Sequence, residues 1–337
     1  MSSNVIDTRN GHYALKGRIV TMNDDFDVLE AGVVYIHNGI IVDVRDQNHA
    51  PPEQFETIKV IDTGGTIFPG LIELHNHLSY NVLPLWSVPE PFLRREQWRD
   101  HPDKRRLITA PMHVLGHTPP YAAAIVRYVE CKCLVAGVTT SQGISLYGVH
   151  LGDFYRGIVR NVESPTDPNL PKASTKISDV DDAKGFLKRL EREDSCYLLH
   201  LSEGIDDKAL KHFQALQISA NRWAITEALA GIHATALRQP DFAIMGKLKG
   251  GIVWSPLSNL MLYGKTTDIR SAIEAQVNIA LGSDWSPSGS KNLLGELKVA
   301  QLVIADAGLD IKVHDLVAMV TRNPAKMLKW QHKLGSI

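Results

Sequence analysis

Phe68-Pro69-Gly70-Leu71-Ile72-Glu73-Leu74-His75-Asn76-His77 is the stretch on which the reading of this chain turns. A Pro-Gly and a mostly apolar run lead into two histidines one residue apart. Side chains at i and i+2 of a β-strand point to the same face. Two imidazoles at that spacing, where a buried strand ends, can hold one metal ion between them. A bare His-x-His is more often two unrelated histidines on a wet strand end, so the weight must come from further along the chain.

In parallel α/β folds the chemistry collects at the carboxyl ends of strands. Polar residues that close an apolar run are therefore informative. His200 follows Cys196-Tyr197-Leu198-Leu199, His233 follows Ala230-Gly231-Ile232, and Asp284 follows Ile279-Ala280-Leu281-Gly282-Ser283. Glu203 stands three residues after His200. A single histidine in such a place is usually a hydrogen-bonded core residue. Repetition at one end of successive strands argues for a shared site. Neutral imidazoles with a carboxylate suit zinc, and also iron(II), cobalt or manganese. Zinc is the default through availability, and a catalytic ion must also hold a water.

From Ile67 onward, short apolar strands alternate with longer helical stretches, the pattern of βα units on a parallel sheet. Strands are expected at Ile67–Leu74, Gly137–Ile144, Gly157–Val162, Tyr197–Leu201, Ala230–Ala234, Gly251–Trp254 and Val277–Gly282, with a weak one around Ala173–Ile177. Helices are expected at Tyr121–Ala136, Asp181–Glu193, Asp206–Leu216, Asp268–Glu274, Gly295–Ala307 and Val313–Val320. An Asn323-Pro324 break then precedes a short helix, Ala325–Trp330. Before Ile67 the chain reads as β, with Tyr13–Met22, Gly32–Val44 around an Asn38-Gly39 turn, and Lys59–Asp62. The long segment Ser79–Pro120 sets Trp86, Phe92 and Trp98 among arginines and acids; it is either a lid or a solvated helix.

Composition narrows the function classes. The chain has 337 residues, 44% hydrophobic, enough for one large barrel or two domains. With 36 Lys+Arg against 37 Asp+Glu the net charge is -1, which gives no electrostatic reason to expect nucleic acid or a membrane surface as partner. No apolar run approaches a membrane span, and Met1–Gly17 lacks the apolar core of a signal peptide. The cysteines Cys131, Cys133 and Cys196 are too few and odd in number for a disulfide framework. They read as buried structural thiols in a reducing, cytoplasmic protein.

The runs FPGLIELHNH, HLSEG at His200–Gly204, GIHATAL at Gly231–Leu237, WSPLSNLMLYG at Trp254–Gly264 and LGSDWSP at Leu281–Pro287 together resemble the amidohydrolase superfamily. The likeness is to the metal-dependent branch that includes nucleobase and adenosylhomocysteine deaminases and triazine hydrolases. It implies an α/β fold, a (β/α)8 TIM-type barrel over residues 67–330, with a small β-sandwich from residues 1–66 and the chain end, 331–337. A return segment that completes the sandwich in the family is absent after Leu334-Gly335-Ser336-Ile337. An incomplete sandwich with an open strand edge is therefore the expectation, and a homo-oligomer paired through that edge is one consequence.

The resemblance also implies roles. His75, His77, His200 and Asp284 match the ligands of one divalent metal ion. Glu203 matches a proton-shuttling glutamate, and His233 a histidine that polarises or positions the attacked group. Asp284 shares the work of deprotonating the metal's water with Glu203. Two-metal relatives carry a carboxylated lysine, for which Lys172 and Lys176 are the local candidates. The reaction implied is hydrolysis of a C–N bond, by deamination or cyclic amide opening, in a small and planar nitrogen heterocycle. Hydrolysis of another leaving group or of an open-chain amide, and a silent metal-binding homologue, are the alternatives. Trp86, Trp98, Trp254 and Trp285 either wall a pocket for a planar ring or belong to the core; Gln142 and Arg160 are expected to meet polar substrate atoms, and Asn259 of the Ser258-Asn259-Leu260 run is either structural or at the pocket edge. Arg160 can instead pair with Glu163 or Asp153.

Overall fold

The computed structural model describes residues 11–143 and 157–337, arranged as two compact units. One comprises Met1–Pro69 with Lys333–Ile337, the other Gly70–His332. The boundary falls at Pro69-Gly70, three residues later than expected, because the β-run before it belongs to the first unit.

Among the described residues the first unit holds one four-stranded sheet, in the order β3-β2-β1-β4, where an incomplete sandwich was expected. β1 (His12–Val20) pairs antiparallel with β2 (Val28–His37), which turns through Asn38-Gly39 into β3 (Ile40–Asp46). Asn38 and Gly39 both have positive φ, 50° and 77°, as a tight hairpin turn of this hand requires. β4 (Val60–Ile67) runs parallel to β1 and takes in Ile67, so the strand predicted from Ile67 starts later. Alternation serves both faces. Val33 and Tyr35 pack with Ala14 and Phe55 on one face, while Val34 and Ile36 pack with Ile19 on the other. Ile337 joins the second cluster and its amide donates to Thr21 O at 2.8 Å.

The second unit is α/β with parallel strands. β5 (Leu71–Glu73), β6 (Val138–Ser141) and β7 (Arg160–Asn161) form a three-stranded sheet. β8 (Ser174–Lys176) lies at the edge of a five-stranded sheet, beside β9 (Tyr197–Leu201). After a short hairpin, β10 (Gln217–Ser219) with β11 (Arg222–Trp223), the same sheet continues. Its remaining strands are β12 (Leu229–His233), β13 (Gly251–Trp254) and β14 (Asn278–Leu281). The weak strand signal around Ala173–Ile177 thus corresponds to β8. The predicted end of the second strand, Ile144, lies outside the described residues. No ladder joins the two sheets among the described residues, but single bonds do. Ala173 N donates to Val162 O at 2.8 Å, and His77 N donates to Asp284 O at 2.7 Å.

β9 and β12 to β14 are near-continuous apolar runs because parallel strands are covered on both faces. Helices Ala183–Leu190 and Asp207–Gln214 start where Asp182 and Asp206 accept from backbone N–H groups. The helix expected to begin after Asn323-Pro324 instead spans Arg322–Met327. Pro324 sits in its first turn, where a missing N–H costs no hydrogen bond. Helices Ala110–His117, Gln239–Lys247 and Pro256–Tyr263 went unread, each with a proline in its first turn. Cys131 is exposed, against expectation, whereas Cys133 and Cys196 are buried; all three are free. Among the described residues no helix is long and apolar enough to cross a membrane.

Gly246 shows how tightly the outer helices pack. A Cβ there would stand 1.9 Å from the carbonyl oxygen of Ala275. Glycine to alanine inside a helix ordinarily stabilises by up to ~1 kcal/mol. Gly246→Ala is expected to reverse that sign and cost about 1–3 kcal/mol in urea unfolding, because backbone on backbone cannot yield.

Candidate metal and hydrolytic site

Every histidine and acid singled out at a strand end arrives at one place. Beyond β5, His75 and His77 stand with ring centroids 5.0 Å apart. His200, within β9, lies 4.8 Å from His75, and His233, closing β12, lies 5.1 Å from it. Asp284 follows β14, with Oδ1 3.2 Å from His75 Nε2 and 3.6 Å from His77 Nε2. Backbone bonds set this register: Asp284 N donates to His75 O at 3.0 Å while His77 N donates to Asp284 O. Two sets of potential ligand atoms result, His75-His200-His233 and His75-His77-Asp284, each within 4.8 Å.

The backbone at these strand ends is unusual. Ser202, His233, Ala234 and Asp284 have φ of 48°, 68°, 53° and 60°, a left-handed region that non-glycine residues seldom occupy. Such conformations persist where the surrounding fold over-determines them, and they cluster at functional sites.

Beneath the histidines runs a polar scaffold. Buried Glu73 accepts from the Ser283 amide at 3.0 Å and from its hydroxyl, tying β5 to the segment that carries Asp284. Burial pushes its pKa up, against the lowering effect of those bonds. Asn76 donates from its amide nitrogen to Ser283 Oγ at 3.0 Å, and its backbone N–H to Gln142 Oε1 at 3.0 Å.

Electrostatics sort the site into neutral and charged groups. Burial lowers His75 to about 4 and His200 well below the usual imidazole range. Burial works to raise Asp284, but the facing imidazoles, His75 first, outweigh it and hold the carboxylate ionised. His75 Nδ1 and Nε2 and His200 Nδ1 are buried without a hydrogen-bond partner. Leaving such atoms unsatisfied costs roughly 1–3 kcal/mol each. Neutral, orphaned imidazoles beside an ionised carboxylate are the donor set a divalent cation requires, so the residues fit such an ion.

Helix Pro256–Tyr263 orders the groups around that set. Ser258 donates to Asp284 Oδ2 at 2.6 Å, Asn259 Oδ1 faces His233 Nδ1 at 3.0 Å, and Tyr263 donates to Glu203 Oε1 at 2.7 Å. Asn259 and Tyr263 are four residues apart and so share a helix face. That spacing was the available signal for Tyr263, which sequence reasoning passed over. Asn259 therefore orients His233 and does not line the cavity.

The cavity above the site has a volume of about 200 Å³. His77, His200, Glu203, His233 and Asp284 form its reactive end. Tyr80, Trp98 and Trp285 supply aromatic wall. Three cations from the 79–120 segment, Arg95, Arg99 and Lys104, also face it. Of the predicted substrate contacts, Trp98 and Trp285 are there, Trp254 is core, and the others are placed elsewhere. Trp86 is buried against Phe92 at 6.0 Å, Gln142 is spent on Asn76 and Glu163, and Arg160 donates to Thr140 Oγ1 at 3.2 Å. Asp153 lies outside the described residues. Lys172 is exposed and Lys176 Nζ donates to Asp179 O at 2.7 Å, so neither reaches the histidines.

The 79–120 segment is stitched down by backbone bonds. Trp86 N reaches Pro287 O, Phe92 N reaches Leu262 O, and Arg95 N reaches Glu203 O, at 2.7, 2.7 and 3.1 Å. Trp86, Phe92 and Ile108 bury themselves with Leu262, Tyr263 and Trp285. It is neither a free lid nor a merely solvated helix.

Residues 211–337 match the family model described as "Amidohydrolase family". The 5-methylthioadenosine/S-adenosylhomocysteine deaminase of Pyrococcus furiosus is 23% identical over 93% of this chain and 81% of that protein. An adenosine deaminase from Xanthomonas campestris, solved with bound zinc, superposes with a TM-score of 0.73 at 17% identity, over 97% of this chain and 82% of that one. The zinc complex of atrazine chlorohydrolase from Arthrobacter aurescens gives 0.74 at 17% identity, over 96% and 84%.

Buried Glu296 provides a pH test of the scaffold. Its Oε1 accepts from Leu257 N at 2.9 Å, at the start of helix Pro256–Tyr263, while Oε2 has no partner. Burial first, then the charges of Asp284 and Glu73, raise it to about 7, against the bond from Leu257. The native state then binds a proton that the unfolded chain has released. Its stabilisation is complete below the unfolded pKa of 4.5 and is lost as pH rises to about 7. The slope is at most ~1.4 kcal/mol per pH unit. Glu296→Gln is expected to flatten stability between pH 5 and 7, measured by urea unfolding across that range.

Proposed function

We propose that this chain, a member of the amidohydrolase superfamily, hydrolyses a C–N bond of a small planar nitrogen heterocycle with the aid of one divalent metal ion, zinc by preference. The observation that carries the reading is the set of orphaned neutral imidazoles on an ionised Asp284, with Glu203 and His233 in the same cavity. His75, His77, His200 and Asp284 are the residues that would hold the ion. When bound, it supplies Lewis acidity and lowers the pKa of an attacking water toward ~7. The eight parallel strands β5 to β9 and β12 to β14 are read as one (β/α)8 barrel, supported by the fold neighbours and by the single bonds between the two sheets.

The chain's own groups divide the remaining work. Tyr263 accepts from Trp98 Nε1 at 2.8 Å, so its one proton goes to Glu203 Oε1. Oε2 is left to move a proton between water and the leaving nitrogen. That oxygen lies 3.8 Å from His233 Nε2. Asn259 Oδ1 can only accept, so His233 carries its proton on Nδ1 and turns Nε2 toward the reacting groups. Once Nε2 takes up a proton, the imidazolium faces the negative charge that develops on the substrate. Trp98 and Trp285, with ring centroids 5.5 Å apart and planes tilted by 46°, offer aromatic faces against which a heterocycle can lie. A cytoplasmic setting is the corresponding reading, supported by the free cysteines.

Loss of a non-nitrogen leaving group is the second reading, favoured by the atrazine chlorohydrolase among the fold neighbours. Ammonia and chloride assays on aminated and chlorinated heterocycles separate the two. Glu203→Gln is expected to keep its metal and lose about 10²–10⁴-fold in turnover. An unchanged rate would remove Glu203 from the proton path. His200→Ala and Asp284→Ala are expected to lower metal content, read by elemental analysis, well below one ion per chain. Tyr263→Phe should lower kcat about tenfold with KM little changed, because it frees Glu203 to rotate without removing a substrate contact.

A further inference from the structure

The cations at the mouth of the cavity are not alike. Arg95 is buried and its charge is spoken for: Nη2 lies 3.2 Å from Asp179 Oδ1 and Nη1 lies 3.8 Å from Glu203 Oε2. Arg99 is half exposed and meets only its neighbour Asp100, at 3.6 Å, itself largely in solvent. Such a contact contributes little. Lys104 is half buried in the cavity wall, and among the described residues its ammonium has no ion-pair partner within 4.0 Å. Burial first, and then the charge of Arg99, push its pKa down, with Asp100 opposing. Two like charges, one partly desolvated, therefore face the same cavity as the hydrolytic groups.

That arrangement is unfavourable in the free protein and becomes favourable when an anion enters. A carboxylate between an ammonium and a guanidinium gains charge-assisted hydrogen bonds and relieves the repulsion. The cavity, about 200 Å³, has room for a ring with a compact anion. Glu203 and Asp284 at the reactive end repel the same group, which sets the direction of entry.

We propose that Arg99 and Lys104, which line the same cavity as the hydrolytic groups, form a carboxylate subsite, so that the substrate is a planar nitrogen heterocycle bearing a carboxylate. The subsite rests on the hydrolase reading only for which end of the ligand reacts. Nicotinate and nicotinamide, which differ in one charge, test it by calorimetric titration into metal-replete protein at pH 7.5 and low salt. Nicotinate is expected to bind at least about tenfold more tightly. The preference should shrink to under about threefold in the Arg99→Gln/Lys104→Met double variant and survive in Lys104→Arg. Equal binding of the two probes, or a preference that persists in the double variant because the carboxylate sits on the metal, overturns the subsite. Ammonia release from uncharged heterocycles, assayed on the same preparation, judges the hydrolase reading by itself. Turnover of neutral rings without carboxylate preference would overturn the subsite alone.

Discussion

Several imidazoles must stay neutral, and one carboxylate must stay charged, within a few ångströms of each other in a dry interior. Most of the structure serves that constraint. Burial first, with the neighbouring imidazoles, lowers His75 and His200, and the same burial works to protonate Asp284 but is outweighed by the imidazoles that face it. The cost is carried by unsatisfied ring nitrogens and by left-handed backbone at His233 and Asp284. A protein tolerates such costs where a ligand removes them.

A second shell of contacts keeps the arrangement rigid. Glu73 and Asn76 bind the Ser283 segment to the histidine segment from below. Helix Pro256–Tyr263 contributes three side chains in two turns, one each to Asp284, His233 and Glu203. Its own first turn rests on Glu296. The 79–120 segment reaches the same helix through Trp98 and Tyr263. The segment read as either a lid or a solvated helix thus joins, through Trp98 and Tyr263, the hydrogen bonds of the proton-transferring carboxylate, and brings the cationic side of the cavity with it.

The sequence was most legible where chemistry coincides with strand periodicity. β9 and β13 lie where the apolar runs put them, and each polar residue that closes a run reaches the site. Legibility failed where a helix begins with proline, as at Pro256, because an apolar, proline-bearing stretch hides its period. It failed also for large or polar side chains judged by type. Trp86, Gln142, Arg160 and Asn259 looked like substrate contacts, yet each is satisfied by a protein partner.

By itself, then, the sequence located most strands of the second unit, set histidines and a carboxylate at their ends and suggested the class of ion they suit. Those features follow from local periodicity and from donor chemistry, which need no knowledge of the remote chain. Only the tertiary structure decided that Tyr263 and Trp98 hold Glu203, that Asn259 serves His233, and that Arg95 is neutralised while Lys104 is not. The reason is physical: a side chain's role depends on whether its charge and hydrogen bonds are already satisfied, and those partners lie up to 165 residues away along the chain.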